Sequence, residues 1–513
     1  MNTFNRRSFL HRTGLATLGA AGSSGMLSQL QLLGQTSELD SAGDLGYKAL
    51  VCIYLTGGND SHNMLAPSGR STKTARADYE RNRGALALPS EKLHAIDVSK
   101  CQEAFAKHYG RSTEPLGTHP DAPELAKLYN SGDLAFLCNV GTLTYPVQSL
   151  SDLSTPTFKP VHLGSHSDQQ AQWLAGFSGH TSSGWGGRMA ELLNETYNPE
   201  ESKVSMSISL GGINPFLQGA AGDVNQYIVN RIGLPTDLHG YGANYRHALE
   251  RPDNFDSQTY KTDSTTAARL KALETIIRTS DHGLWESQLN IVGQRARRAE
   301  GKMTATIKKG GDSANFDEIF AEAKTELGDQ LKTVAKIIAG RSNLGLKRQI
   351  FFCRVGNFDT HDAQAARHSE LMQMVSKAVS AFKTALSAPG VDAWDKVVAF
   401  SGSDFGRTLS ANSDDQESGT DHAWAGHSFI AGGAVKGKKL YGQFPPLRLP
   451  TEDGHWSVGR RGHLVPDVSV DQYSAVLAKW FGASDDSLEQ LFPNLGRFDS
   501  PFSLGDPHNL AFL

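Results

Sequence analysis

Four apolar runs, each broken off by glycine or an acid, do most to limit how this chain can fold. They are "YKALVCIYLTGGNDSHN" from Tyr47 to Asn63, "DLAFLCNVGTL" from Asp133 to Leu143, "RQIFFCRVGNFDTH" from Arg348 to His361 and "KVVAFSGSDFGRT" from Lys396 to Thr408. None alternates apolar with polar residues, so each reads as a strand buried on both faces, as in a parallel sheet. Helical patterns lie between them. "HPDAPELAKLYNSG" is one. "FDEIFAEAKTELGDQLKTVAKIIAG" reads as a single helix, with Ile319, Phe320, Ala323, Leu327, Leu331, Val334 and Ile338 near helical spacing and Gly340 as a stop. "ELMQMVSKAVSAFKTAL" puts Leu371, Met374, Val375, Ala378, Phe382 and Leu386 on one face, as core. Strands alternating with helices predict an α/β fold: three layers, α/β/α, around a mostly parallel sheet.

Such sheets bind ligands outside the carboxyl ends of their strands. Three of the runs lead into aspartates there: Asp60, Asp359 and Asp404. One strand-end aspartate is ordinarily a helix N-cap. Three at one edge would repel one another unless a cation or an arginine lay between them, which points to a metal site.

The whole chain has 513 residues, with 50 Lys+Arg against 54 Asp+Glu and a formal net charge of -4. This near balance gives no electrostatic case for nucleic acid as a partner. The first residues differ from the rest. "NRRSFLHRTGLATLGAAGSSGML" has Arg6-Arg7, then Ser8-Phe9-Leu10 and a weakly apolar, Gly/Ala-rich stretch, the pattern of a twin-arginine export signal. Residues 1–40 are therefore expected to be signal and linker, read by the twin-arginine export machinery, and 41–513 a single α/β domain. The stretch is too short and glycine-rich for a stable membrane anchor, and the destination would be the periplasm or beyond. Cys52, Cys101, Cys138 and Cys353 lack C-x-x-C spacing, and three of them sit in the apolar runs, so buried free thiols are expected rather than a cysteine zinc site. Residues from about 190 to about 315 are polar and turn-rich with helical patches, read as an insertion over the sheet.

Five stretches carry groups with chemical potential. In "GGNDSHN" paired glycines let the backbone turn and present Asp60, with His62 read as a polar loop residue. In "HLGSHSDQQAQWLAGF", Ser165 and Ser167 stand at a helix start, where free N–H groups and the helix dipole favour an anion or oxyanion; an ordinary Ser N-cap is the plainer account. In "FDTHDAQAARHSEL", Asp359 and His361 pair carboxylate with imidazole, common ligands for zinc, manganese or iron; His368, two turns on, is a supporting or surface group. "SGSDFGRT" brings Asp404 and Arg407, the latter able to grip an anion or to neutralise the acids. "GTDHAWAGHSFIAGGAVKGKKLYG" adds Asp421-His422, with His427 opening another apolar run.

Together, "LTGGND", "SHSDQQAQW", "FDTHDAQ", "SDFGRT" and "GTDHAWAGH" behind a twin-arginine start resemble an exported bacterial family, a domain of unknown function, of the alkaline phosphatase/sulfatase-like superfamily. The resemblance covers nearly the whole mature chain and is weakest between about 190 and 315. It implies an alkaline-phosphatase-like fold and metal ions that bridge a small anionic phosphate or sulfate ester while a hydroxyl attacks. Mapped onto this chain, it implies Asp60, Asp359, His361, Asp404 and His422 as metal ligands for divalent ions such as zinc, manganese or calcium. It implies Ser165 as nucleophile, with Ser167 competing for that role, and Arg407 or the helix start holding the ester oxygens. Phe405 departs from the pattern, because phosphatases of this class place histidine there. The expected function is an exported metal-dependent ester hydrolase; the alternative is a non-catalytic binding or assembly protein that keeps the fold.

Overall fold

In a computed structural model the described residues are 46–69, 75–176, 183–198, 204–221, 224–231, 248, 250, 259–279, 299–415, 417–503, 506 and 508–513. The segment read as a twin-arginine signal lies outside them, and the fold below is that of Gly46–Leu513.

Nine strands form the central sheet: β1 (Lys48–Leu55), β2 (Leu134–Gly141), β3 (Ser207–Ser209), β4 (Tyr227–Ile228), β5 (Arg348–Val355), β6 (Val397–Ser403), β7 (Gly426–Ala431), β8 (Leu440–Gly442) and β9 (Val468–Ser469). The order is β8-β2-β7-β6-β1-β5-β3-β4, and β9 also pairs with β2. Only β7 runs against its neighbours, β2 and β6; the remaining pairings are parallel. The four apolar runs are β1, β2, β5 and β6, as their composition predicts. Parts of the polar segment between about 190 and 315 lie outside the described residues. Of the rest, β3 and β4 extend the sheet edge and Thr265–Thr279 is helical.

Side-chain alternation along β1 divides the core in two. Ala49, Val51, Ile53 and Leu55 face one apolar cluster, and Leu50, Cys52 and Tyr54 face the other. Helices cover both faces: α1 (Ala75–Arg83), α2 (Pro123–Ser131), α3 (His166–Ala175), α4 (Trp185–Tyr197), α5 (Glu326–Ala339), α6 (Gln364–Leu386) and α7 (Val470–Phe481). Tyr79, Leu125, Val334 and Phe382 bring α1, α2, α5 and α6 to the first face, while Trp173, Trp185 and Tyr473 bring α3, α4 and α7 to the second. The three-layer reading therefore holds.

One helix differs from its expectation. The pattern from Phe316 to Gly340 is broken into a single turn, Phe316–Ile319, and α5. Thr325, in extended backbone, accepts a hydrogen bond from Gly328 N at 3.1 Å and so starts a new helix. A threonine that can cap competes with the helix it would otherwise continue. The four cysteines are buried and free.

What this architecture does for a site is set by register. Leu55 pairs with Val355 on one side and Ser403 on the other, so β5, β1 and β6 end level. The loops carrying Asp359, Asp60 and Asp404 leave the sheet side by side. Gly57 and Gly58 let these loops meet. Both have positive φ, 115° and 89°. A Cβ on Gly57 would lie 2.5 Å from the Asp359 backbone nitrogen, and one on Gly58 2.6 Å from the Phe405 ring. Gly57→Ala is therefore expected to cost about 2–4 kcal/mol through strain and overpacking. Denaturant unfolding measures this; a loss under ~1 kcal/mol would mean the loops do not need that contact.

Candidate metal centre

Asp359 sits on a loop flanked by two strained non-glycine residues, Asn357 (φ 71°) and Ala363 (φ 42°). Its carboxylate is the meeting point of three imidazoles. His166 Nε2 lies 3.2 Å from Oδ2, and His361 Nε2 and His422 Nε2 lie 3.0 and 3.1 Å from Oδ1. His361 and His422 also face each other, Nε2 to Nε2, at 3.0 Å. One donor atom each from His166, Asp359 and His422 fits within 4.8 Å.

Each imidazole is held from behind. His422 Nδ1 donates to Gly164 O at 2.7 Å; a carbonyl only accepts, so the proton is on Nδ1. His166 Nδ1 lies 2.8 Å from Asp404 Oδ2, and His361 Nδ1 lies 3.3 Å from Asp421 Oδ1. These partners leave Nε2 of each ring facing the Asp359 carboxylate, which can only accept. Lone pairs set against lone pairs repel unless a proton or a cation lies among them. A carboxylate or carbonyl behind each ligating histidine is the usual support of a metal ligand. The 3.0–3.2 Å separations of the imidazole nitrogens from Asp359 are close to the roughly 3.4 Å spacing of ligands around a tetrahedral ion with ~2.1 Å bonds. The residues present thus fit a divalent cation.

The electrostatics agree. Burial raises the Asp359 carboxyl, but the Arg407 hydrogen bond and charge outweigh it, and the group is held below the usual carboxylate range. Burial lowers His422 below its ordinary value, despite its bond to Gly164. Asp404 is pushed up by burial against the pull of His166. An ionised carboxylate and a neutral imidazole are the forms a metal requires.

Of the residues singled out by sequence, Asp359, His361 and His422 come together as expected. Asp404 is brought to the site but stands behind His166, fully buried, with Gly57 N also donating to it at 3.1 Å. Asp60 does not join them. It is fully buried one layer below, where Arg83 and Gln364 both donate to its Oδ2. Burial pulls its carboxyl up, yet Arg83, His368 and His62 outweigh this and keep it low. The arginine that sequence would place between the acids is thus partly Arg83, from α1. Arg407 is buried and engaged: Nη1 with Asp359 Oδ1 at 2.5 Å, Nε with Thr420 Oγ1 at 3.1 Å, and Nη2 with Thr420 O. It neutralises the acids from a fully buried position, with four of its five N–H groups bonded to Asp359, Gly57 and Thr420.

Ser165 is the N-cap of α3, and its Oγ donates to Asp168 Oδ2 at 2.5 Å. Its neighbours on both sides, Gly164 and His166, touch the cluster. Ser167 is exposed, 3.5 Å from the same carboxylate oxygen. His166 was not expected as a donor; its signal was an imidazole between two serines at a helix start. Asp421 and His422 arrive because β7 is antiparallel, so the segment before it lies at the same edge. Backbone bonds between Gly406 and Trp424 and between Thr408 and Asp421 hold it there. Phe405 packs its ring 4.8 Å from His166 and 4.6 Å from His422.

Among the described residues a nine-stranded sheet carries at one edge a carboxylate and three imidazoles, His166 coming from the start of α3. The chain belongs to the family described as protein of unknown function (DUF1501), whose sequence profile matches residues 47–458. No curated protein matches it.

Beneath the centre, His62, His119 and His368 are buried, and burial lowers the first two to about 4 and the third to about 3. His368 Nε2 bonds Asn59 Oδ1 at 3.0 Å, so it is a packing group and not a ligand. An unfolded imidazole titrates near about 6.5, so below that pH the unfolded chain binds more protons than the folded one. Stability is full above about pH 6.5 and falls towards pH 4, by up to ~1.4 kcal/mol per pH unit for each imidazole. His368→Gln is expected to make this acid slope shallower by about one proton's worth, read from denaturation curves between pH 7 and 4.5. An unchanged slope would place the lost protons elsewhere.

Proposed function

We propose that this is an exported, metal-dependent hydrolase of phosphate or sulfate esters. The observation that carries the reading is the convergence of His166, His361 and His422 on Asp359, each with Nε2 facing its carboxylate. An imidazole-rich set suits zinc or manganese better than calcium, which takes oxygen ligands. The residues that would hold the ion are Asp359, His166, His422 and His361. When bound, it would draw charge from the ester oxygens and favour attack.

The protein's own contribution to attack is Ser165. Its hydroxyl already donates to Asp168, a carboxylate able to accept the proton as the oxygen bonds to phosphorus or sulfur. The ester oxygen departs, and water then cleaves the seryl ester. The start of α3 supplies N–H groups for the developing negative charge. The resemblance to the alkaline phosphatase/sulfatase-like superfamily and the Arg6-Arg7 signal support the reaction class and export to the periplasm or beyond.

The test is a screen of aryl phosphate, phosphodiester and sulfate esters with added divalent ions, alongside metal analysis. Wild type is expected to carry stoichiometric transition metal, and Asp359→Ala to lose both metal and turnover. Ser165→Ala should keep the metal and lose at least ~10³-fold in kcat, while Ser167→Ala stays within a few-fold. A metal-free protein that turns over none of the esters would contradict the reading and favour a binding or assembly role.

A further inference from the structure

Arg407 is fully buried, and its guanidinium is bonded within the fold to Asp359, Gly57 and Thr420. Recognition of an anionic substrate must therefore draw on other cations. Beside the centre lies an open groove of about 320 Å³ lined by Thr408, Asp421, Arg460, Arg461 and His463. It adjoins the centre through Asp421, whose Oδ1 meets His361 Nδ1 at 3.3 Å.

The arginines are presented by a built element. Ser457–Val458 and His463–Leu464 pair as a short hairpin, and Gly459-Arg460-Arg461-Gly462 is its turn, with positive φ of 72° and 74° at the two glycines. Gly462 N donates to Gly459 O at 3.2 Å. Leu409 N and Ser410 N donate to Gly462 O and Arg461 O, both at 3.0 Å, and so fasten the turn to the loop that follows Arg407. Arg461 is spent internally: it pairs with Asp421 and donates to Asn412 O at 2.9 Å. That pairing cancels the carboxylate that would otherwise repel an anion. Arg460 is exposed and makes no ion pair or hydrogen bond among the described residues. The two arginines and one aspartate leave the groove with a net positive charge, and its free guanidinium has the fork geometry that suits a carboxylate, sulfate or phosphate.

We infer that this groove is a second anion subsite, in which Arg460 reads an additional anionic group on a substrate whose ester lies at the metal centre. The inference rests on the hydrolase reading and narrows its substrate class to polyanionic esters. Arg460 sets specificity and takes no part in the chemistry.

Titration calorimetry on the protein as purified, with phenylphosphonate and its 3- and 4-carboxylated derivatives, tests this. Wild type should bind one carboxylated probe about tenfold more tightly than the parent. Arg460→Gln should remove that preference while leaving the parent's affinity, the metal content and the unfolding midpoint unchanged. Added salt should shrink the preference in wild type. Equal binding of the probes by wild type, or a preference that survives in Arg460→Gln, overturns the subsite. If phenylphosphonate binds and simple esters are cleaved without a carboxylate preference, the subsite alone fails. If no phosphonate binds and no ester is cleaved, the hydrolase reading fails and the subsite with it.

Discussion

The site depends on one electrostatic constraint. Asp359 offers only lone pairs, and three imidazole nitrogens are turned towards it. Gly164 fixes the tautomer of His422, and Asp404 and Asp421 stand behind His166 and His361 at Nδ1. Such an arrangement is repulsive unless positive charge occupies its centre. Arg407 supplies part of that charge from below, through Nη1 to Asp359 Oδ1. A cation among the imidazoles would supply the rest, which is why the cluster reads as a binding site and not as chance polarity at a loop.

The fold meets this constraint through level strand ends. Because β5, β1 and β6 finish in register, loops far apart in sequence leave the sheet at one height. The single antiparallel strand adds a fourth contribution from its leading end, carrying Asp421 and His422. The acids then sort by depth. Asp359 is part-exposed at 38%, while Asp60 and Asp404 have fully buried side chains. Asp60 is paired with Arg83, since a buried charge without a partner is costly, and Asp404 is hydrogen-bonded to His166 and Gly57 N. Only the exposed one is left to share a cation.

Much of this was legible in the sequence. Continuous apolar runs such as Lys48–Leu55 have one sensible home, a sheet covered on both faces, and the acids after them mark its functional edge. Asp359 and His361 could be named because carboxylate and imidazole stand together after a strand, and His422 came from the family resemblance. What could not be read was depth and direction. Asp60 follows its strand just as Asp359 does, but Arg83 and Gln364, distant in sequence, claim it. Arg407 looked available until Thr420 and Asp359 were seen to take its donors. His166 was hidden by a neighbouring serine pattern that a simple N-cap explains equally well. The helix expected from Phe316 to Gly340 divides because Thr325 caps it, a choice that periodicity does not register.

The central claim is that His166, His361 and His422 converge on Asp359 to hold one kind of divalent ion. X-ray absorption on the zinc-loaded protein tests it most directly. The account predicts two or three imidazole nitrogens at about 2.0–2.1 Å together with carboxylate oxygen. A spectrum showing oxygen neighbours alone, without imidazole scattering, would contradict it.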